Sequence, residues 1–127
     1  MANRTLYPVR AHSPGKALLT FGIAPNGVDT PTIVEDSLNA VASVSRSAVG
    51  VLAIVLTDTY VAVAGIQTQL QLSAAADTQV QITGAATVTT TKTITITILT
   101  AGVAADIAAD AANVIWFTVW MRDSSVT

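Results

Sequence analysis

The sequence predicts an all-β protein: a single-domain, antiparallel, jelly-roll-like β-sandwich of about seven or eight strands, with an extended N-terminal arm. The β-branched residues Thr, Val and Ile make up 45 of the 127 residues, and they favour pleated strands over helices. From Thr91 onward, the stretch Val88–Leu99 alternates Thr with Ile, so one strand face is apolar and the other hydroxylated. A chain of this length has room for one domain. We divide it into an arm (1–16) and a sandwich (17–127).

The arm is predicted to dock on a partner. Pro8 and Pro14 favour extended backbone before them, and Ser13-Pro14-Gly15 is typical of a turn. Residues 1–16 contain three basic residues and no acid, whereas 17–127 contain three bases and eight acids. A basic arm on an acidic body fits an acidic partner surface. The candidate docking residues are Arg4, Leu6, Tyr7, Val9 and Arg10.

The body begins with a predicted strand at Ala17–Ala24, in which alternate residues share one face: Leu19, Phe21 and Ile23. Pro25-Asn26-Gly27 predicts a turn. It is followed by a polar loop that reaches about Val34.

Two strands are predicted in the next part of the chain. Residues 34–44 have a weak helical pattern, but we favour a loop followed by a strand at Ala40–Ser45. Val51–Leu56 is a nearly continuous apolar run, which is typical of a strand buried on both faces.

Val61–Leu72 and Gln79–Thr83 are predicted strands that each place glutamines on their outer face. If these sequence neighbours pair antiparallel, their glutamines form one neutral amide patch. Thr100–Ala112 combines helix-favouring alanines with Gly102 and two aspartates, and we expect a loop with at most one or two helical turns.

The last predicted strand, Asn113–Arg122, has no evident wet face. Trp116 and Trp120 share one side, and tryptophan is enriched at the centres of interfaces. These two residues are therefore our candidates for a subunit interface. The alternative is a central strand whose tryptophans lie beneath a loop or the arm.

The sequence offers little support for catalysis, and we expect no enzyme, cofactor or metal site. The only histidine, His12, has no serine–acid constellation around it, and Ser13 beside it fits a turn. Nucleophile-elbow, phosphate-loop and dinucleotide-binding motifs are absent from the sequence. Two acidic groups are weak metal-ligand candidates: Asp106 with Asp110, and Asp29 with Glu35 and Asp36.

The composition points to assembly with other proteins. Charged residues make up only 11% of the chain and apolar residues 51%, which suggests that much of the surface is covered by copies of the chain or by a larger assembly. Three dispersed cations argue against nucleic acid. No transmembrane segment or signal peptide is evident, and cysteine is absent, so we expect synthesis in a bacterial cytoplasm.

Three stretches resemble small virion structural proteins of tailed bacteriophages: MANRTLYPVR with its Pro-Gly turn, GVLAIVLTDTYVAVAGIQTQLQL, and AADIAADAANVIWFTVWMRDSSV. They include a strand ending in Leu-x-Asp-x-Tyr (Leu56, Asp58, Tyr60) and a final Arg-x-Ser-Ser (Arg122, Ser124, Ser125). The loop at 28–45 and the aromatic last strand depart from that pattern. The resemblance implies a capsid decoration, or cement, protein, often oligomeric, bound outside the major capsid shell of the virion.

We therefore expect a homotrimer that bridges capsomers of the major capsid protein through its arm, with no membrane partner. A tail-fibre or host-recognition module is a second hypothesis. Glycan-binding modules of that kind expose aromatic residues in loops, whereas both tryptophans here lie in a predicted strand. A self-assembling filament subunit that donates its arm as a strand is a third, and Pro8 argues against it.

Overall fold

The computed structural model describes residues 16–36, 39–85 and 89–122. Within these ranges the chain is all-β and folds as a single-domain sandwich of two antiparallel sheets, which confirms the predicted fold class. The strands are β1 (Lys16–Asn26), β2 (Asp29–Glu35), β3 (Val41–Ala48), β4 (Val51–Leu56), β5 (Ala62–Gln71), β6 (Thr78–Gly84), β7 (Thr93–Thr100), β8 (Val103–Ala104) and β9 (Val114–Arg122).

Sheet A has the strand order β2-β1-β9-β5, and sheet B has the order β3-β4-β7-β6, with β8 pairing to the end of β7. Consecutive strands form hairpins at β1–β2, β3–β4, β6–β7 and β7–β8. The first and last described strands pair with each other at the centre of sheet A, from Lys16 opposite Arg122 to Ile23 opposite Ile115. Sheet A, which carries both tryptophans, therefore also contains the first and the last described strand.

The core lies between the sheets and is filled by alternate residues of the central strands. Ile94, Ile96 and Ile98 of β7 are almost completely buried and face the inner side of sheet A. Across from them, Phe21 of β1 and Phe117 of β9 stack with ring centroids 4.8 Å apart. Such an aromatic pair adds about 0.5–1.5 kcal/mol beyond the burial of its apolar area. The strict alternation of β1, β7 and β9 follows from this one-sided burial.

Two local predictions are wrong. The predicted loop at 28–34 is instead β2, which pairs with β1 along the edge of sheet A. An edge position tolerates Pro31, because the missing N–H is not needed by a second neighbour. Val51–Leu56 is a strand, but it is not buried on both faces: Leu52, Ile54 and Leu56 are buried, and the residues between them are half-buried on the outer face of sheet B.

The predicted single amide patch is also wrong, because its two strands belong to different sheets. β5 pairs with β9 in sheet A, whereas β6 pairs with β7 in sheet B. The glutamines of β5 and those of β6 therefore occupy opposite outer faces of the sandwich. The alternation of residues along each strand predicts which side chains point outward. It does not indicate which other strand pairs with that strand.

The Thr/Ile strand starts later than predicted. β7 begins at Thr93, after a turn in which Lys92 has a φ of 59°, and Val88, the first residue of the predicted stretch, lies outside the described residues. The segment 100–112 is the expected loop, without helix, and it contains the short strand β8.

An ion pair ties this loop to the β3–β4 hairpin. The Arg46 guanidinium donates two hydrogen bonds of 2.8 Å to the Asp106 carboxylate. The same carboxylate accepts the Gly50 N–H at 2.9 Å, and the Gly50 carbonyl accepts the Ile98 N–H at 2.6 Å. Pairing with Arg46 is the main reason why the pKa of Asp106 is lowered from its ordinary value, and the Gly50 hydrogen bond adds to it. Asp106 thus acts as a structural anchor.

Candidate functional site

The outer face of sheet A, called face A below, is built from alternate residues of β1, β9 and β5 in three cross-strand rows. These rows are Leu18–Trp120–Gly65, Thr20–Thr118–Gln67 and Gly22–Trp116–Gln69. Every residue in them is uncharged. The tryptophans are 37% and 40% exposed and Leu18 is 50% exposed, so face A presents large apolar groups to its surroundings. Both tryptophans lie on the same side of β9, which confirms the prediction that they share one side of the last strand.

The two tryptophans have different surroundings. The indole of Trp116 covers the backbone at Gly22, where an added Cβ would lie 2.6 Å from its Cζ3. On the other side, its Nε1–H donates a 3.0 Å hydrogen bond to Oε1 of Gln71. The ring is therefore held from both neighbouring strands, and its orientation is fixed before anything binds.

Trp120 is held less closely. An added Cβ at its neighbour Gly65 would lie 3.8 Å from Cε3 of Trp120, an ordinary contact distance. On the β1 side it stands opposite the half-exposed Leu18. The Leu18–Trp120 row is consequently the apolar end of face A, next to the point where Lys16 pairs with Arg122.

A shallow groove of about 310 Å³ lies beside Trp116. Its lining is uncharged and consists mainly of amide and hydroxyl groups: Gln67, Thr68, Gln69, Trp116 and Thr118. Within the described part of the chain, the side-chain amides of Gln67 and Gln69 have no hydrogen-bond partner. The groove therefore combines one fixed indole with free donors and acceptors.

The outer face of sheet B is chemically different. The hydroxyl of Thr97 donates to the hydroxyl of Thr83 at 3.1 Å, and the hydroxyls of Thr78 and Thr100 are 3.0 Å apart. The glutamines of β6 and the threonines of β7 give a neutral surface without an exposed aromatic residue. The threonine strand β7 and the tryptophan strand β9 therefore belong to two sheets whose outer faces differ in chemistry.

The acidic pairs considered as metal ligands do not form sites. Asp29 and Glu35 stand at opposite ends of β2, and the Asp36 carboxylate accepts the N–H groups of Ala40 and Val41. Asp106 is bound to Arg46, while Asp110 accepts the N–H of Ala112. Among the described residues, no three His, Asp or Glu side chains come together as possible metal ligands.

Several predicted residues lie outside the described residues: Arg4, Leu6, Tyr7, Val9, Arg10, His12 and Ser13. Sequence reasoning identified the tryptophans but missed the groove beside Trp116. The groove depends on the pairing of β5 with β9, which brings together residues about 45 positions apart, such as Gln71 and Trp116. The local signal was present in the alternating glutamines of β5, but nothing in the alternation identified β9 as their neighbour.

Comparisons with models of known protein families, with curated proteins and with solved structures find no match. The resemblance to phage virion proteins therefore stays a prediction from the sequence. The described segments contain no helix of the length and hydropathy needed to span a membrane.

Proposed function

We propose that this protein is a non-enzymatic capsid decoration, or cement, protein, which binds the outside of a major capsid shell as a homotrimer and bridges neighbouring capsomers. The observation that supports the proposal best is face A, whose three rows are uncharged and expose Leu18 and both tryptophans. Interface centres are depleted of charged residues and enriched in Trp, because burying an unpaired charge is costly. A face of this composition is suited to contact with another protein.

Face A is too small to form a stable interface without additional buried area from another segment. Its three strands pair over about eight residues and cover about 14 Å by 26 Å, or about 360 Å². A stable interface buries about 800 Å² on each partner. Face A alone falls short of that, and we propose that the arm supplies the missing area, because Lys16, where the arm joins β1, is two residues from Leu18.

Of the two tryptophans predicted at a subunit interface, we assign Trp120, with its neighbour Leu18, to contacts between subunits, and we leave Trp116 out because polar groups border it. We assign the arm residues to docking on the shell: Arg4, Leu6, Tyr7, Val9 and Arg10. Arginine and tyrosine are common anchors of interfaces. Many copies on one shell would strengthen a modest contact, since each bound subunit holds its neighbours close to their own sites.

The oligomeric state tests the subunit contact. Sedimentation equilibrium of the full chain at about 1–300 μM should give the mass of a trimer. Trp120→Ala should shift the assembly towards the monomer by at least about tenfold in concentration. Thr97→Ala, on the outer face of sheet B, is the matched control and should leave the mass unchanged. A wild-type chain that is monomeric throughout would contradict the trimer.

The position of the protein on virus particles tests the proposed capsid-decoration role. An antibody raised against the protein should label the outside of capsids in electron micrographs of particles that carry it. Labelling of tails would favour host recognition, and labelling of free fibres would favour a filament subunit. Deletion of residues 1–14 should abolish capsid labelling, whereas full occupancy by that variant would contradict docking through the arm.

A further inference from the structure

The groove beside Trp116 has the chemistry of a carbohydrate site. A pyranose ring carries C–H groups on its faces and hydroxyls around its rim, so it needs a flat apolar surface flanked by amide or hydroxyl groups. Trp116, 37% exposed, supplies the flat surface, and Gln67, Gln69 and Thr118 stand beside it in the groove lining. Both tryptophans lie in a strand, but the strand is part of an exposed sheet face, so this position does not argue against glycan binding.

The site is organised before a ligand arrives. The Trp116 indole is confined by Gly22 below it and by the hydrogen bond from Nε1–H to Gln71. Binding a sugar therefore requires little further loss of side-chain freedom at the stacking residue. The amides of Gln67 and Gln69, which have no hydrogen-bond partner within the described residues, offer both donors and acceptors to ligand hydroxyls.

Other ligand classes suit the groove less well. Nucleic acids and acidic glycans require basic side chains, and the lining has none. An added peptide strand would pair along the free edge of β5, whereas the groove lies over β5 and β9, whose facing backbone groups are paired with each other. Protein hot spots lie in well-packed pockets from which water is excluded, whereas Trp116 is 37% exposed and bordered by amides and hydroxyls.

We propose that the groove formed by Gln67, Gln69, Trp116 and Thr118 binds a neutral polysaccharide, with one sugar ring stacked on Trp116 and its hydroxyls bonded to the two glutamines. This site lies on face A, in the rows of Trp116 and Thr118, whereas the capsid-decoration proposal assigns the Leu18–Trp120 row to contacts between subunits and the arm to docking. The groove is shallow and of about 310 Å³, so we expect one or two sugar units in contact and an affinity in the high micromolar to millimolar range, ~10⁻⁴–10⁻³ M.

The test is a titration of the full chain with four neutral oligosaccharides: cellohexaose, xylohexaose, mannohexaose and maltohexaose. Tryptophan emission and amide chemical shifts report binding. At least one sugar should bind saturably with a Kd below about 10 mM. Trp116→Ala should weaken that binding by about tenfold or more, and Gln69→Ala by about threefold or more. Gln81→Ala, a glutamine on the outer face of sheet B, is the matched control and should leave the Kd unchanged.

Two results would overturn the proposal: no saturable binding of any of the four sugars, or binding that Trp116→Ala and Gln69→Ala both retain. Chemical shifts of the core isoleucines verify that each variant is folded, and Gln69→Ala alters only an exposed side chain. The two proposals fail separately. If the wild type binds no sugar and Trp116→Ala loses the trimer, the groove belongs to the contact with a second copy of the chain. If the wild type is monomeric and binds sugar, only the trimer proposal is wrong.

Discussion

Trp116 occupies the space that a side chain at Gly22 would need. An added Cβ at Gly22 would lie 2.6 Å from Cζ3 and 2.8 Å from Cε3 of the indole, and 3.3 Å from Cγ2 of Val34. A glycine on β1 thus determines where a tryptophan of β9 lies, and through it the shape of the groove.

Gly22→Ala should push the Trp116 indole out of place and weaken its hydrogen bond to Gln71. We expect a loss of about 1–3 kcal/mol in the free energy of unfolding, because the added methyl overpacks a close contact. Tryptophan emission should also shift as the ring becomes more exposed. Urea unfolding followed by fluorescence measures both effects.

Gly65→Ala is the matched control for that substitution, since Gly65 stands beside Trp120 in the same sheet. Its added Cβ would lie 3.8 Å from Cε3 of Trp120, an ordinary contact. Its cost should stay below about 1 kcal/mol. Equal losses in the two variants would show that Gly22 does not hold the Trp116 ring.

Stability should depend on pH through Asp106. Its pKa is lowered in the folded protein by the hydrogen-bonded Arg46. The folded state therefore favours the ionised form of Asp106 more than the unfolded chain does. This contribution is fully present above the ordinary carboxyl pKa, about 4, and disappears as the pH falls through the lower folded value. Asp106→Asn should therefore lower the free energy of unfolding at neutral pH by about 0.5–1 kcal/mol, because solvent screens the pair, and by less at acidic pH.

Urea unfolding of the wild type and Asp106→Asn at about pH 7 and pH 3 measures this difference. Arg46→Met and the double variant complete a cycle, in which the two single losses should not add. A difference between wild type and Asp106→Asn that is the same at both pH values would contradict the ion pair's role.

Gly50→Ala should be among the most damaging single substitutions in sheet B. Gly50 has a φ of 69°, and an added Cβ would lie 2.6 Å from the Ile98 carbonyl oxygen and 2.8 Å from the Ala105 nitrogen. Both are backbone atoms that are already hydrogen-bonded, so neither can move without loss. We expect a cost of about 3 kcal/mol or more.

Gly102→Ala separates backbone strain from steric collision. Gly102 also has a positive φ, 81°, but its added Cβ would meet nothing within 4 Å. Its cost should be about 1 kcal/mol, the strain alone. Thermal unfolding of both variants gives the comparison, and equal shifts in Tm would rule out the collision at Gly50.

Phe117→Ala should cost about 3–5 kcal/mol, because it removes a buried ring and leaves a cavity. Phe117 is 2% exposed and stacks on Phe21 across the β1–β9 pair. Thr20→Ala, at an exposed position on the same pair of strands, should change stability by less than about 0.5 kcal/mol. Urea unfolding curves provide both values, and a small loss in Phe117→Ala would mean that the core closes around the missing ring.

The sequence predicted single strands well and their arrangement poorly. Alternation predicted the inward residues of β1 and the apolar face of β7 correctly, since burial on one side of a strand imposes that period. Pro31 made β2 look like a loop, because a proline's effect on a strand depends on whether that strand has one neighbour or two. Sheet membership of β5 and β6 depends on contacts far apart in sequence, which no local pattern records.

The candidate site follows the same division. That Trp116 and Trp120 share a face could be predicted from their spacing, because residues an even number apart along a strand point the same way. The different surroundings of the two tryptophans could not be predicted. Trp116 has both a glutamine neighbour and a close contact with Gly22, and these residues reach it from two different strands.

The pairing of the first and last described strands has a mechanical consequence. Lys16 and Arg122 form one end of a ladder of eight residue pairs, so tension on the two chain ends would open the ladder like a zipper, one pair after another. A load carried across the width of the sheets would instead have to break many pairs together. The sandwich should therefore yield at low force when pulled by its ends and resist strongly when loaded across the width of its sheets.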